Sequence, residues 1–234
     1  MKMLVLRCGD PVPTVAARRG AFFDWIRDGV GDAWDGEWVE HDARTDALAP
    51  DADAVIVTGS ASSVTEAAPW MRRAEELLRK FVSHDKAVLG ICFGHQLLGS
   101  ALGGRVERNP NGREIGTVQL QLHDHAREDP LLGEHAPTLL VNMTHVDTVT
   151  MLPENARVLA KTNLERHAAF RIEGKRAWGV QFHPEIDGDV MRGYIAAREH
   201  LIRNEGLHFD NILGTTTDTP VGFAILRAFA RQAR

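Results

Sequence analysis

The residues whose types and spacing promise chemistry lie at Gly90-Ile91-Cys92-Phe93-Gly94-His95-Gln96, directly after the apolar run Ala87-Val88-Leu89. This order places a cysteine where a buried strand turns into a helix. A turn of that kind is strained and closely packed, and it needs small residues on both sides of the nucleophile, which Gly90 and Gly94 supply. The unpaired amides and dipole of the following helix favour the thiolate, the nucleophilic form of cysteine. Cys8, at the end of Met3-Leu4-Val5-Leu6, reads instead as a small buried hydrophobe.

A second chemical segment closes the run Ala177-Trp178-Gly179-Val180-Gln181-Phe182-His183-Pro184-Glu185. Residues two apart on an extended chain project to one side, so His183 and Glu185 can face one cleft although Pro184 ends regular pairing. Thiol catalysis needs an imidazole that takes a proton and returns it, and a third group that fixes the ring. The plainer alternative is a surface histidine followed by a helix-capping glutamate.

Taken together, the two segments resemble the class I glutamine amidotransferase family, in its order of cysteine, histidine and glutamate, over roughly residues 1–203. Within that family the chain is most similar to the amidotransferase domain of GMP synthase and its free-standing relatives. The resemblance implies that Cys92 attacks the side-chain amide of glutamine or of another γ-glutamyl compound, giving a γ-glutamyl thioester. It implies that His183 protonates the leaving ammonia or amine and then activates water, and that Glu185 holds His183. The oxyanion is expected at the backbone amide of Phe93 and at an amide of the turn Thr58-Gly59-Ser60, from either Gly59 or Ser60. Gln96 is expected to hold the amino acid end of the substrate. Met143-Thr144-His145-Val146-Asp147 resembles a family segment that contacts substrate through its backbone, which adds Thr144 and His145 to the binding set. Two departures stand out: Gly59-Ser60-Ala61 replaces the Gly-Gly-Pro of many relatives, and Val146 replaces a glycine. A β-branched residue tolerates positive φ poorly, so the second change predicts a differently shaped loop.

These groups need a scaffold, and the pattern along the chain supplies one. Strands are predicted near 3–8, 37–41 and 54–58, with helices near 14–29 and 69–83 between and after them. The helical stripes Val15, Phe22, Ile26, Val30 and Trp70, Ala74, Leu77, Leu78, Phe81 are core faces. After the cysteine helix, shorter strands are predicted at 105–107, 116–122, 138–142, 156–161, 167–172 and 176–182, then a helix at 189–204. This is an α/β pattern with a central, mostly parallel sheet flanked by helices. The resemblance implies a class I amidotransferase-like, flavodoxin-like architecture. A single domain is expected over 1–234, with 206–234 a C-terminal helical extension. There Thr219-Pro220 reads as a cap and first helical residue before the stripe Val221, Ile225, Ala228, Phe229.

Composition narrows the function classes. At 234 residues and 44% hydrophobic the chain can bury one large core. A net charge of -5 gives no electrostatic reason to expect nucleic acid. Two cysteines, no secretory leader and no apolar stretch of roughly 18 residues point to a soluble cytoplasmic protein without a membrane segment. No cofactor is expected. Nor is a metal, since His123 and His125 share a side but have no cysteine nearby. Without a Gly-rich phosphate loop or a nucleotide-binding synthetase region, ammonia formed here has no acceptor site on this polypeptide. Three readings follow: a self-contained γ-glutamyl hydrolase acting on a small-molecule substrate, a glutaminase subunit serving a separate synthase, and a non-catalytic binding protein on the same fold.

Overall fold

Alternation within the short apolar runs decides the layers. Met3 and Val5 join one hydrophobic layer and Leu4 and Leu6 another; Ala54 and Ile56 are likewise separated from Val55 and Val57. Each of these segments is therefore buried on both faces, as strands of a helix-covered parallel sheet must be. The computed structural model describes residues 1–234. The strands are β1 Lys2–Arg7, β2 Glu37–Asp42, β3 Ala54–Val57, β4 Ala87–Ile91, β5 Arg105–Arg108, β6 Glu114–Leu122, β7 Thr138–His145, β8 Asp147–Met151, β9 Ala156–Lys161, β10 Ala169–Ile172 and β11 Ala177–Val180. The helices are α1 Pro13–Arg19, α2 Phe22–Val30, α3 Pro69–Ser83, α4 Phe93–Ala101, α5 Gly188–Ala197, α6 Glu199–Asn204, α7 Phe209–Thr215 and α8 Val221–Gln232.

Nine strands form one sheet in the order β2-β1-β3-β4-β11-β10-β9-β6-β7, and β5 pairs with β8 separately. The first five run parallel, and beyond β11 each neighbour reverses. Only β10 and β6 oppose the common direction, so the sheet is mostly parallel, as the sequence pattern predicts. The larger apolar layer holds α1, α2, α5 and α8; the smaller holds α3 and α4.

Three elements differ from their sequence-based expectation. The helix expected at 14–29 is two helices, because Gly20 takes φ 81° and caps α1 through its amide on the Ala16 carbonyl at 3.0 Å. The helix expected at 189–204 breaks at Arg198, which ends α5 with φ -110° and starts α6. Residues 147–151, which followed an expected substrate loop, form β8; its Val149 is fully buried and packs against Gly99 of α4.

The last 29 residues hold α7 and α8. Helix α8 lies against α2, where a Cβ on Gly29 would come within 2.8 Å of Leu226 and Phe223. Phe229 is fully buried, edge-on to Trp178 of β11 with centroids 6.3 Å apart. Phe229→Ala is expected to remove about 3–5 kcal/mol of stability, the usual range for deleting a buried aromatic ring. Urea unfolding checks this; a loss below about 1 kcal/mol would show that α8 is detached from β11 in solution.

Candidate active site

Cys92 sits between β4 and α4 with φ 52° and ψ -103°, a backbone state that side-chain-bearing residues rarely adopt. Holding it there costs about 1–3 kcal/mol, which surrounding contacts must offset. The Cys92 amide donates to the Val180 carbonyl of β11 at 2.9 Å, and its carbonyl accepts from Gln96 N at 3.1 Å. Close packing requires the flanking glycines. A Cβ on Gly90 would lie 2.3 Å from the Gly94 carbonyl oxygen, and one on Gly94 would lie 2.5 Å from the Val57 carbonyl oxygen.

The histidine arrives from the neighbouring strand. Just beyond β11, His183 Nδ1–H donates to Glu185 Oε1 at 2.8 Å, with both side chains buried. The backbone of His183 is pinned by its amide on the Asn142 carbonyl at 2.9 Å. The Asn142 side chain in turn donates to the Ile186 carbonyl at 3.1 Å and to Thr219 Oγ1 at 3.2 Å. The other ring nitrogen, Nε2, is sealed from solvent without a hydrogen-bond partner. A Cβ on Gly59 would stand 3.1 Å from His183 Cε1 and 3.8 Å from Cys92 Cβ, so turn, ring and thiol converge on one point.

Electrostatics follow from this packing. Burial alone pushes the Cys92 thiol up, but the charge and ring of His183, with a further contribution from His145, outweigh it and bring the thiol below its ordinary value. Burial favours a neutral His183; the Glu185 carboxylate and the Cys92 thiolate prevail and push the imidazole up to about 10. Both shifts favour the charged forms, thiolate for Cys92 and imidazolium for His183. His95, three residues from the cysteine, is no competitor for the role of base. It is fully buried against Phe170, where Gly179 leaves room for its ring, and burial pushes it down to about 3. Cys8 is buried too, without a cation strong enough to offset burial, and its thiol is pushed well above the ordinary range.

Above the pair lies a cavity of about 190 Å³, lined by Gly59, Ser60, Ala61, Cys92, Thr144 and His183, and by Asp10–Pro13, Phe22, Tyr194 and Arg198. The amides of Gly59 and Ser60 donate to nothing within the protein, and the Phe93 amide is the first of its helix, without an intrahelical acceptor. Neither Gly59 nor Ser60 has positive φ, so serine fits the turn without strain. Thr58 braces the turn, its hydroxyl accepting from Cys8 N and donating to the Gly59 carbonyl, both at 3.0 Å.

Of the three residues expected to bind substrate, only Thr144 faces the cavity, with its carbonyl 3.8 Å from Cys92 Sγ. Gln96 and His145 lie behind it and converge on one atom. Gln96 Nε2 and His145 Nδ1–H each donate to the Asp147 carbonyl at 2.9 Å. His145 Nε2–H also donates to the buried Glu114 at 3.2 Å, and Glu165 stands 3.9 Å from Nδ1. Burial pulls His145 down, but these carboxylates prevail and raise it. Val146 keeps φ out of the left-handed region. Asn142, Tyr194 and Arg198 escape sequence reading: Asn142 lies within an ordinary strand pattern, and the other two look like common helix residues.

The Glutamine amidotransferase class-I family profile matches residues 34–201. The chain belongs to the class I glutamine amidotransferase family. This amidotransferase chain is 38% identical over 133 residues to the glutamine-hydrolysing GMP synthase of Phocaeicola vulgatus, covering 56% of the chain and 24% of that protein. It is 42% identical over 132 residues to the GMP synthase of Porphyromonas gingivalis, with the same coverage of 56% and 24%. It thus spans about a quarter of the length of these curated relatives. Among solved structures it is similar to a glutamine amidotransferase of Thermotoga maritima, with TM-score 0.73 and 21% identity over 100% of this chain and 97% of the other. A glutamine amidotransferase of Methylobacillus flagellatus gives TM-score 0.73 and 20% identity over 100% and 91%. These two likenesses establish the fold. No helix is long and apolar enough to cross a membrane.

The thiolate is the species that alkylates, so a lowered thiol value extends the reactive plateau toward lower pH. Iodoacetamide labelling of Cys92, followed by peptide mass spectrometry against pH, is expected to show a midpoint below that of a free cysteine. His183→Ala is expected to move it upward, because burial then acts without its main counter-charge. An unchanged midpoint in that variant would refute the ion pair.

Proposed function

We propose that the chain hydrolyses the γ-glutamyl amide bond of glutamine or a related γ-glutamyl compound, with Cys92 as nucleophile and a γ-glutamyl thioester as intermediate. The observation that carries this reading is the buried line of thiol, imidazole and carboxylate beneath a cavity edged by unpaired backbone amides.

The Cys92 thiolate adds to the amide carbon, and the carbonyl oxygen takes the negative charge. The Phe93 amide and one from Gly59 or Ser60 receive that charge; losing one such donor lowers turnover by about a hundredfold or more. The C–N bond then breaks as the His183 imidazolium passes its proton to the departing nitrogen. Acylation removes the thiolate charge, one of the two partners that hold the His183 value high. The ring is then a better base for the next step: it takes a proton from water, whose oxygen attacks the thioester carbon. Collapse of that adduct releases glutamate and restores the thiolate and imidazolium. Glu185 keeps Nδ1 protonated so that Nε2 faces the chemistry. Thr144 contributes backbone to the site, and Gln96 and His145 hold it in place through the Asp147 carbonyl.

A second reading is a glutaminase that hands ammonia to a separate synthase polypeptide. It is favoured by the curated relatives, which are glutamine-hydrolysing GMP synthases matched over about a quarter of their length.

The deciding experiment follows glutamate and ammonia or amine release by the purified chain from glutamine and a panel of γ-glutamyl amides. Turnover by the chain alone, abolished in Cys92→Ala and lowered roughly a hundredfold or more in Glu185→Gln, is the expected result. Turnover from glutamine that rises steeply only on adding a synthase supports the second reading. A Cys92→Ala variant as active as the parent would remove both.

A further inference from the structure

The cavity over Cys92 carries one cationic group that the chemistry above does not use. Arg198 is half-buried at the junction of α5 and α6, lines this cavity, and has no carboxylate within ion-pairing distance. The acid of the cavity lining is otherwise engaged. Asp10, the carboxylate lining the same cavity, is held by Arg44 at 2.8 Å and by Arg7 at 2.5 Å. The Arg198 guanidinium stacks 4.8 Å from the Tyr194 ring, and its one protein hydrogen bond is a long 3.4 Å contact to the Tyr194 carbonyl. Tyr194 is itself 4% exposed and lines the cavity, with its hydroxyl sealed from solvent and turned toward the Val12 backbone, so its ring is held in place beneath the guanidinium. A guanidinium fork with free donors in the wall of a cavity is the arrangement that receives a planar carboxylate.

Resting on the γ-glutamyl reading, we propose that Arg198, seconded by Tyr194, binds a carboxylate of the substrate and thereby selects carboxylate-bearing γ-glutamyl amides. Two parts of such a substrate carry that group: the α-carboxylate of the glutamyl moiety, and the carboxylate of a leaving amino acid or peptide. Stacking on Tyr194 fixes the plane of the fork, so the pocket discriminates by geometry as well as charge. Arg198 also ends α5, where a cation is favoured by the helix dipole; a purely capping role moves stability and leaves ligand preference untouched.

The test measures equilibrium binding by calorimetry, using Cys92→Ala protein with and without Arg198→Met or Arg198→Lys. Two ligand pairs isolate the carboxylate: glutamine against 4-aminobutanamide, and γ-glutamylglycine against γ-glutamylglycinamide. The expected result is a roughly 10- to 100-fold preference for the carboxylate-bearing member of at least one pair, from a charge-assisted contact of about 1.5–3 kcal/mol. That preference collapses in Arg198→Met and is partly restored in Arg198→Lys. Collapse in the first pair assigns the glutamyl carboxylate, and collapse in the second assigns the leaving group. Equal preferences with and without the guanidinium, or no preference in either pair, overturn the proposal. Turnover of the same panel by protein with Cys92 intact reads the hydrolytic reaction separately, so a failure of Arg198 and a failure of the γ-glutamyl chemistry give different results.

Discussion

The constraint on which the rest of the site depends is the backbone of one residue. Cys92 must hold φ 52° at the end of a buried strand, and nothing in the intrinsic preferences of cysteine favours that state. It is held by neighbours pressed so closely that side chains on Gly90 and Gly94 would collide with main-chain oxygens. It is held also by the β11 carbonyl that accepts its amide. The strain has a geometric result: the thiol projects from the carboxyl end of a central strand while the first turn of α4 begins directly behind it. The sheet, its register and the glycines are thus parts of one device for aiming a sulfur atom.

Charge is managed by the same economy of space. Glu185 has one carboxylate oxygen on His183 and the other buried with no partner. A carboxylate buried in this way needs a partner facing it to offset its desolvation. His183 faces it at 2.8 Å, and this carboxylate together with Cys92 favours the charged form of the ring. Behind Thr144 a second buried assembly repeats the principle, with His145 between Glu114 and Glu165. Thr162 Oγ1 donates to Glu114 at 2.7 Å and Thr148 Oγ1 donates to Glu165 at 2.8 Å. It ties β6, β7, β8 and the chain after β9 together just where the cavity wall must be rigid.

Much of this was legible in the sequence because the relevant signals are local. The spacing of Gly90, Cys92 and Gly94 encodes a tight strand-to-helix turn, and the two-residue step from His183 to Glu185 places both on one side. Alternating apolar residues mark the strands buried on two faces. What escaped depends on contacts between distant segments. Gln96 and His145 have the residue types of ligand-binding groups, yet tertiary packing turns both toward the Asp147 carbonyl. The break at Arg198 lies in an otherwise continuous helical pattern, and it matters because it leaves that side chain in the cavity wall. Strand β8 was hidden because its partner β5 lies outside the main sheet.

The pairing of β4 with β11 has a consequence for the order of events during synthesis. Gly90 and Ile91 lie opposite Gly179 and Val180, so the cysteine and its histidine are spatial neighbours separated by most of a sheet's worth of chain. A ribosome making some 5–20 residues per second leaves several seconds between them. Throughout that interval the thiol lacks the His183 charge that lowers its value in the folded chain. That lowering therefore arises only when β11 docks, and the nascent chain carries an ordinary cysteine until its fold is nearly closed.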